Sequence, residues 1–185
     1  LGVIAIIAIV ILVPKTIKQP PASKLSDNLN VLTNGPLLLA FAITALGYGG
    51  TFVAFTYLTP ILEKITGFAP NSVSIILLVY GIAVAFGNTF GGKAANKNPL
   101  KALTWMFLVQ AIILVILSFT APFKLVGIVT IFFLGLLAFM NVPGLQIYVV
   151  KLAEKYVPSA VDIASALNIA AFNVGIAIGA SYINL

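Results

Sequence analysis

The sequence contains no cysteine, no histidine and no arginine. Without Cys and His, thiol redox chemistry, haem or iron–sulfur ligation and the usual zinc sites are excluded at once. Charge is nearly as scarce, at 8% of the 185 residues, against roughly 25% in an average soluble domain. So little charge cannot cover a water-facing surface. The four carboxylates, Asp27, Glu63, Glu154 and Asp162, stand apart in loops or at helix ends. With them alone no general acid–base pair, nucleophile–base pair or metal cluster can be assembled. The expectation is a protein that is not an enzyme and uses no cofactor and no metal.

What is present is apolar: 61% hydrophobic residues and a mean hydropathy of +1.16. The charged residues fall in a few gaps and leave 28–62, 65–92, 102–123, 125–150 and 163–185 uncharged. About 20 apolar residues cross a ~30 Å hydrocarbon core as a helix. The pattern predicts an all-α membrane protein with five full transmembrane helices, near 37–60, 72–92, 102–121, 125–149 and 163–184. Leu1–Val13 is too short to cross alone, and neither a basic n-region nor an A-x-A-like cleavage site flanks it. It is expected to be the tail of a preceding transmembrane helix. Residues 14–36, rich in Pro, Ser and Asn and without an apolar period, are expected to form a flexible linker between two halves of a larger protein. Residues 37–185 then make a C-terminal half-bundle, incomplete at its C-terminus.

Five crossings place Lys15, Lys18, Lys24, Lys93, Lys97, Lys101, Lys151 and Lys155 on one side, and only Lys64 and Lys124 on the other. The positive-inside rule makes the first side cytoplasmic. The net charge of +6 comes wholly from lysines that read as topology signals. The expected surroundings are a lipid bilayer, with no nucleic-acid partner.

Local signals mark several helix ends. Ser159 and Asp162 have capping-box spacing, 67–72 reads as a turn followed by a helix start, and 120–124 reads as a tight turn. Small residues recur every four positions at Gly87 and Gly91, and again at Ala171, Gly175 and Gly179. Such faces let helices approach closely in a membrane. Two spans are expected to be interrupted, the first at Gly47-Tyr48-Gly49-Gly50 and the fourth at Gly135 and Asn141-Val142-Pro143-Gly144. Interrupted helices in corresponding repeat positions point to a substrate path. The third span has almost no polar residue after Gln110, so it is expected to face lipid, Leu114 included.

The run from Gly47 to Ile61, followed by Thr66-Gly67-Phe68, resembles the seventh helix of major facilitator superfamily transporters, in the drug/sugar efflux (arabinose-efflux-permease-like) branch. Gly87 to Lys97 resembles the superfamily's cytoplasmic loop signature, repeated between helices eight and nine. Ala164 to Gly175 resembles that branch's eleventh helix. The resemblance implies part of a six-helix half-bundle in a bacterial cytoplasmic membrane, whose N-terminal half is missing here. It also implies a conformational role for Gly87, Gly91, Gly92, Asn96 and Lys97. The signature carries Asp then Arg where this chain has Asn96 and Lys97, which weakens the charged latch it implies.

Thr44, Tyr48, Thr51 and Phe55 recur at steps of four, three and four and share one helix face. The resemblance places this face beside a small-molecule substrate cavity. The bland alternative is helix packing, with hydroxyls bonded to their own backbone. Asn141, Asn168 and Phe172 are further cavity candidates, followed by Tyr80; another helix could equally satisfy the bare amides. The resemblance implies a secondary active transporter, with proton-coupled efflux of sugar, drug or purine-like molecules by alternating access. A non-transporting truncated or split-gene component and an importer of the same superfamily are the alternatives.

Overall fold

The computed structural model describes residues 25–181 and isolated positions 3, 6, 11 and 12. The expected helix tail at 1–13 (those positions aside), the linker through 24 and the last four residues, 182–185, lie outside the described part. Within it every regular element is a helix: α1 Leu25–Thr33, α2 Gly35–Pro60, α3 Pro70–Lys97, α4 Pro99–Thr120, α5 Lys124–Ala138, α6 Asn141–Tyr156 and α7 Val161–Ser181. Taking α5 and α6 together as one broken span, five helical stretches are long and apolar enough to cross a membrane.

Two of these helices, α2 and α4, start where an Asn side chain satisfies an orphan backbone donor. Asn34 Oδ1 accepts from Leu37 N at 3.2 Å, and Asn98 Oδ1 accepts from Lys101 N at 3.1 Å. Pro36, Pro70 and Pro99 stand in the first turns of α2, α3 and α4, where a missing N–H costs nothing. At its far end α2 widens into a π-turn over Ile61–Ile65, with Thr66 N bonded to Ile61 O at 2.9 Å. Gly67 then turns left-handed at φ 75°, which lets Phe68 N reach Leu62 O at 3.0 Å. The buried Thr66 hydroxyl also donates to Ala121 O at 2.8 Å, and Lys124 Nζ lies 5.4 Å from the centre of the Phe68 ring. The α2–α3 and α4–α5 turns therefore meet at one end of the bundle.

Several expectations change. The linker is not irregular throughout: Leu25–Thr33 is helical, and Val31 packs with Leu37, Val149 and Ala153. Gly47–Gly50 does not interrupt its span, since α2 runs unbroken from Gly35 to Pro60. Glycine keeps its N–H, so the helix ladder survives; what is lost is bulk. Gly49 lies against α7, where an added Cβ would come 2.9 Å from Gly175 O, and a Cβ on Gly175 would come 2.3 Å from Ala45 O. The loop signature Gly87–Lys97, expected to leave its span after residue 92, is helical throughout as the last part of α3, and Asn98 alone joins α3 to α4. The turn into α7 is a 3-10 turn, Pro158–Ala160, with Ala160 N bonded to Val157 O at 2.9 Å rather than closed by the Ser159 capping box. Leu114 is half-buried against the core, while Ile112, Val115 and Phe119 turn outward on the same helix.

The fourth span does break, but between the expected points: Gly135 lies inside α5 and residues 141–144 inside α6. Phe139 and Met140 form a turn between α5 and α6, held by Met140 N to Leu137 O at 3.2 Å and Val142 N to Phe139 O at 3.3 Å. Pro143, which has no N–H and clashes with a carbonyl four residues back, makes a continuous helix unfavourable here. Against this break lies the small face of α3. A Cβ at Gly87 would sit 1.8 Å from Leu136 O, and one at Gly91 1.9 Å from Met140 O. Outside these contacts the bundle shows large apolar side chains, with Leu46 72%, Phe119 72% and Leu125 79% exposed. Water would not tolerate such a surface; lipid does.

Gly87→Ala and Gly91→Ala should each destabilise the full-length protein by about 1–3 kcal/mol, the usual range for overpacking. Gly50→Ala and Gly81→Ala, whose added methyl would meet nothing within 4 Å, should leave stability nearly unchanged. Thermal melting in detergent reads the difference. Equal melting temperatures for all four would contradict the close approach.

Candidate functional site

Side chains from four spans converge beside the break. The Tyr48 ring on α2 meets Phe172 of α7 edge-on at 4.9 Å and Phe139 of the break at 5.8 Å. Along α2 it is followed by Phe52 at 6.2 Å, and Phe52 by Phe55 at 5.7 Å. Phe55 reaches Tyr80 on α3 at 6.0 Å. Edge-to-face and tilted contacts at these distances are each favourable by about 0.5–1.5 kcal/mol beyond burial. The row runs from the buried Tyr48 to Phe55, which is 41% exposed. Tyr48, Phe55, Phe172 and Tyr80 were legible as candidates; Phe52 and Phe139 were not.

The remaining candidates lie in two hydrogen-bonded chains that tie the spans together. In one, the Thr44 hydroxyl donates to Asn168 Oδ1 at 2.7 Å, and Asn168 Nδ2 donates to Gln146 Oε1 at 2.8 Å. Gln146 Nε2 in turn donates to the Ser165 hydroxyl. This chain links α2, α7 and α6. In the other, Asn141 Nδ2 at the break donates to Gln110 Oε1 at 3.3 Å, and Gln110 Nε2 to Thr51 Oγ1 at 2.7 Å. The Thr51 hydroxyl ends that chain on Gly47 O at 3.1 Å. Thr44, Thr51, Gln110, Asn141 and Asn168 are all buried within the half-bundle. Asn141 Oδ1 is buried without a partner.

The face shared by Thr44, Tyr48, Thr51 and Phe55 is thus divided. Its aromatic members join the row of rings, and its hydroxyls bond neighbouring helices. Gln110, Gln146 and Ser165 were missed as site residues. The available signal was that an amide inside an apolar span requires a partner, but nothing in one sequence says which amide pairs with which. Of the signature residues, Gly87 and Gly91 seat the break, a Cβ on Gly92 would come 3.8 Å from Pro143, and Asn96 and Lys97 are exposed at the end of α3.

Apolar spans locked by buried amides around one broken helix define a polytopic membrane protein. The chain belongs to the major facilitator superfamily, whose model matches residues 1–180. It is 60% identical over 178 residues to the uncharacterized MFS-type transporter YtbD of Bacillus subtilis, covering 96% of this chain and 45% of that protein. It is 32% identical over 183 residues to the inner membrane transport protein YdhP of Escherichia coli, covering 98% of this chain and 45% of that one. A probable sugar efflux transporter of Helicobacter acinonychis is 30% identical over 158 residues, covering 84% of this chain and 39% of its own length. The chain therefore spans less than half the length of these relatives. No solved structure matches it.

Removing the Thr44–Asn168 bond tests the first hydrogen-bonded chain. Asn168→Ala strips partners from both Thr44 and Gln146 and should cost about 1–3 kcal/mol; Thr44→Val should cost less. The double variant should be less destabilised than the two singles added, as groups sharing one bond are coupled. Strict additivity in melting measurements would rule that bond out.

Proposed function

We propose that this chain is the C-terminal part of a secondary active transporter that exports small organic molecules across a bacterial cytoplasmic membrane. The observation that carries the reading is the row of aromatic rings drawn from four spans beside the break in the fourth. Rings present broad apolar faces that suit sugar rings, purines and hydrophobic drugs alike, and relatives named as probable sugar efflux transporters favour the first of these. The turn at Phe139–Met140 is the natural place for the half-bundle to flex during alternating access, because two long backbone bonds that span three residues, of 3.2 and 3.3 Å, replace the regular ladder there.

The energy source we propose is a proton gradient, with the proton-binding group outside this chain. A proton site within the membrane is normally Asp, Glu or His. Glu63 lies in the π-turn, Glu154 near the end of α6 and Asp162 in the first turn of α7, all exposed. An unperturbed phenol titrates near ~10, too high to cycle readily.

The reading is tested with the full-length protein in proteoliposomes, given a panel of sugars, nucleosides and cationic drugs and an imposed pH gradient. At least one compound should move against its own gradient. Tyr48→Ala and Phe55→Ala should slow that movement about tenfold or change the preferred compound, since each removes ring contacts of about 1 kcal/mol or more. The outward-facing Val115→Ala should not. Asp27→Asn, Glu63→Gln, Glu154→Gln and Asp162→Asn should keep the pH dependence. Transport indifferent to both ring variants would refute the site, and loss of coupling in any carboxylate variant would put the proton site in this chain.

Orientation follows from the same reading. Lys93, Lys97, Lys101, Lys151 and Lys155 cluster where α3, α4 and α6 end or begin, and Lys64 and Lys124 lie by the turns at the other end. We place the richer end in the cytoplasm. The chain has no cysteine, so single cysteines at positions 64 and 97 can be probed cleanly. An impermeant thiol reagent on intact cells should label the first and spare the second; the opposite pattern inverts the topology.

A further inference from the structure

Three lysines meet at the α3–α4 joint. Lys93 and Lys97 lie one turn apart at the end of α3, and Lys101 lies in the first turn of α4, beyond the single joining residue Asn98. Together with Trp105 they line a surface cavity of about 480 Å³. None is paired with a carboxylate among the described residues, and the sequence holds no acid between Glu63 and Glu154. Asn98 already caps the start of α4 through the Lys101 amide, so the positive character here is that of the three ammonium groups. Their charge is concentrated and has no carboxylate partner among the described residues.

A second cavity, of about 320 Å³, adjoins the first and shares Ala94, Ala102 and Trp105 with it. Its other walls are Met106, Val109, Leu137 and Met140, all apolar. The combined track is basic at its outer end and apolar inward. It opens on the side where Trp105 and Leu108 are more than half exposed, and it ends at Met140 in the break. A 28-residue α3 is about 42 Å long at 1.5 Å per residue. That exceeds the ~30 Å core, so its final lysines stand at headgroup level. Trp105, one turn further in, has the amphipathic ring favoured at that boundary.

We propose that this track binds one anionic phospholipid, its phosphate held by Lys93, Lys97 and Lys101 and one acyl chain lying along Trp105 and Val109 towards Met140. The charge selects an anion, and the apolar continuation selects a lipid over a soluble phosphate. Met140 contributes both to the track and to the break, where its carbonyl meets Gly91. The bound lipid thus touches the segment whose geometry the glycine face of α3 controls.

The test is native mass spectrometry of the delipidated full-length protein, titrated with dioleoyl phosphatidylglycerol, with phosphatidylcholine of the same chains, or with glycerol 3-phosphate. A lysine near a membrane surface contributes about fivefold in affinity for anionic lipid. Phosphatidylglycerol should bind first and on the order of tenfold tighter than phosphatidylcholine. Lys97→Gln with Lys101→Gln should remove that preference, whereas Lys151→Gln with Lys155→Gln, an equal loss of charge elsewhere, should preserve it. Val109→Trp, which fills the apolar end while leaving every lysine, should also weaken phosphatidylglycerol binding; melting temperatures confirm that each variant is folded. Equal binding of the two lipids, or no effect of the 97/101 pair, overturns the site. Glycerol 3-phosphate binding as well as the lipid, or Val109→Trp without effect, overturns the lipid assignment.

Discussion

Leu136 and Met140 bring their carbonyl oxygens so close to α3 that only α-carbons without a Cβ fit opposite them, at Gly87 and Gly91. A break in a membrane span disturbs backbone groups that find no water in hydrocarbon, so the surrounding protein must enclose them. A glycine face does this by contact rather than by a side-chain hydrogen bond. The placement of the neighbouring helices depends on that contact. With α3 seated on the break, Tyr80 comes within 2.7 Å of where a Cβ on Gly135 would stand, and α4 lies close enough for Leu103 to come within 3.0 Å of where a Cβ on Gly144 would stand. Gln110 on α4 can then bond Asn141 on one side and Thr51 on the other.

Apolar attraction could not perform this sorting, because lipid tails are as apolar as the leucines they touch. Shape and hydrogen bonding remain. The α2–α7 contact relies on shape at Gly49, Gly175 and Gly179, and on the Thr44–Asn168 bond. The contact of α6 with these two helices adds Gln146. Interhelical hydrogen bonds in membranes contribute about 0.6 kcal/mol on average, so these chains fix register more than they add strength. A one-turn slip of α7 would separate Asn168 from both of its partners.

The spans were legible because charge is excluded from hydrocarbon, and ten lysines with four acids leave gaps that can be read by eye. A break close to Pro143 was legible because proline removes a donor, although the turn falls at Phe139–Met140, whereas Gly47–Gly50 misled because glycine removes only bulk. The helix was expected to stop near 92, where lysines and asparagines begin, yet it runs on to Lys97, and the small face at Gly87 and Gly91 is what an intact helix needs to meet a broken one. The helix Leu25–Thr33 was hidden for another reason. It is only nine residues long, too short to be stable alone, and it owes its conformation to Val31 packing on Val149 and Ala153. The amide pairs were the least legible feature. Gln110 and Thr51 are 59 residues apart, and Thr44 and Asn168 are 124 apart, separations over which a single sequence carries no pairing signal.

The division between amides and rings bears on how such a half-bundle could meet a substrate. An amide or hydroxyl already bonded inside the protein gains little by turning to a ligand, since one bond is exchanged for another and a buried partner is left bare. Thr44, Thr51 and Asn168 are in that position. The rings are not: Phe55 can receive a ligand on its exposed face without giving up its contacts with Phe52 and Tyr80. Asn141 differs from the other amides in keeping Oδ1 unpartnered while buried at the break. A buried acceptor without a donor is costly, and a shift of the turn at Phe139–Met140 that brought a donor to it would lower that cost. Among the described residues, the buried side-chain atom left without a partner thus lies at the backbone turn of the fourth span.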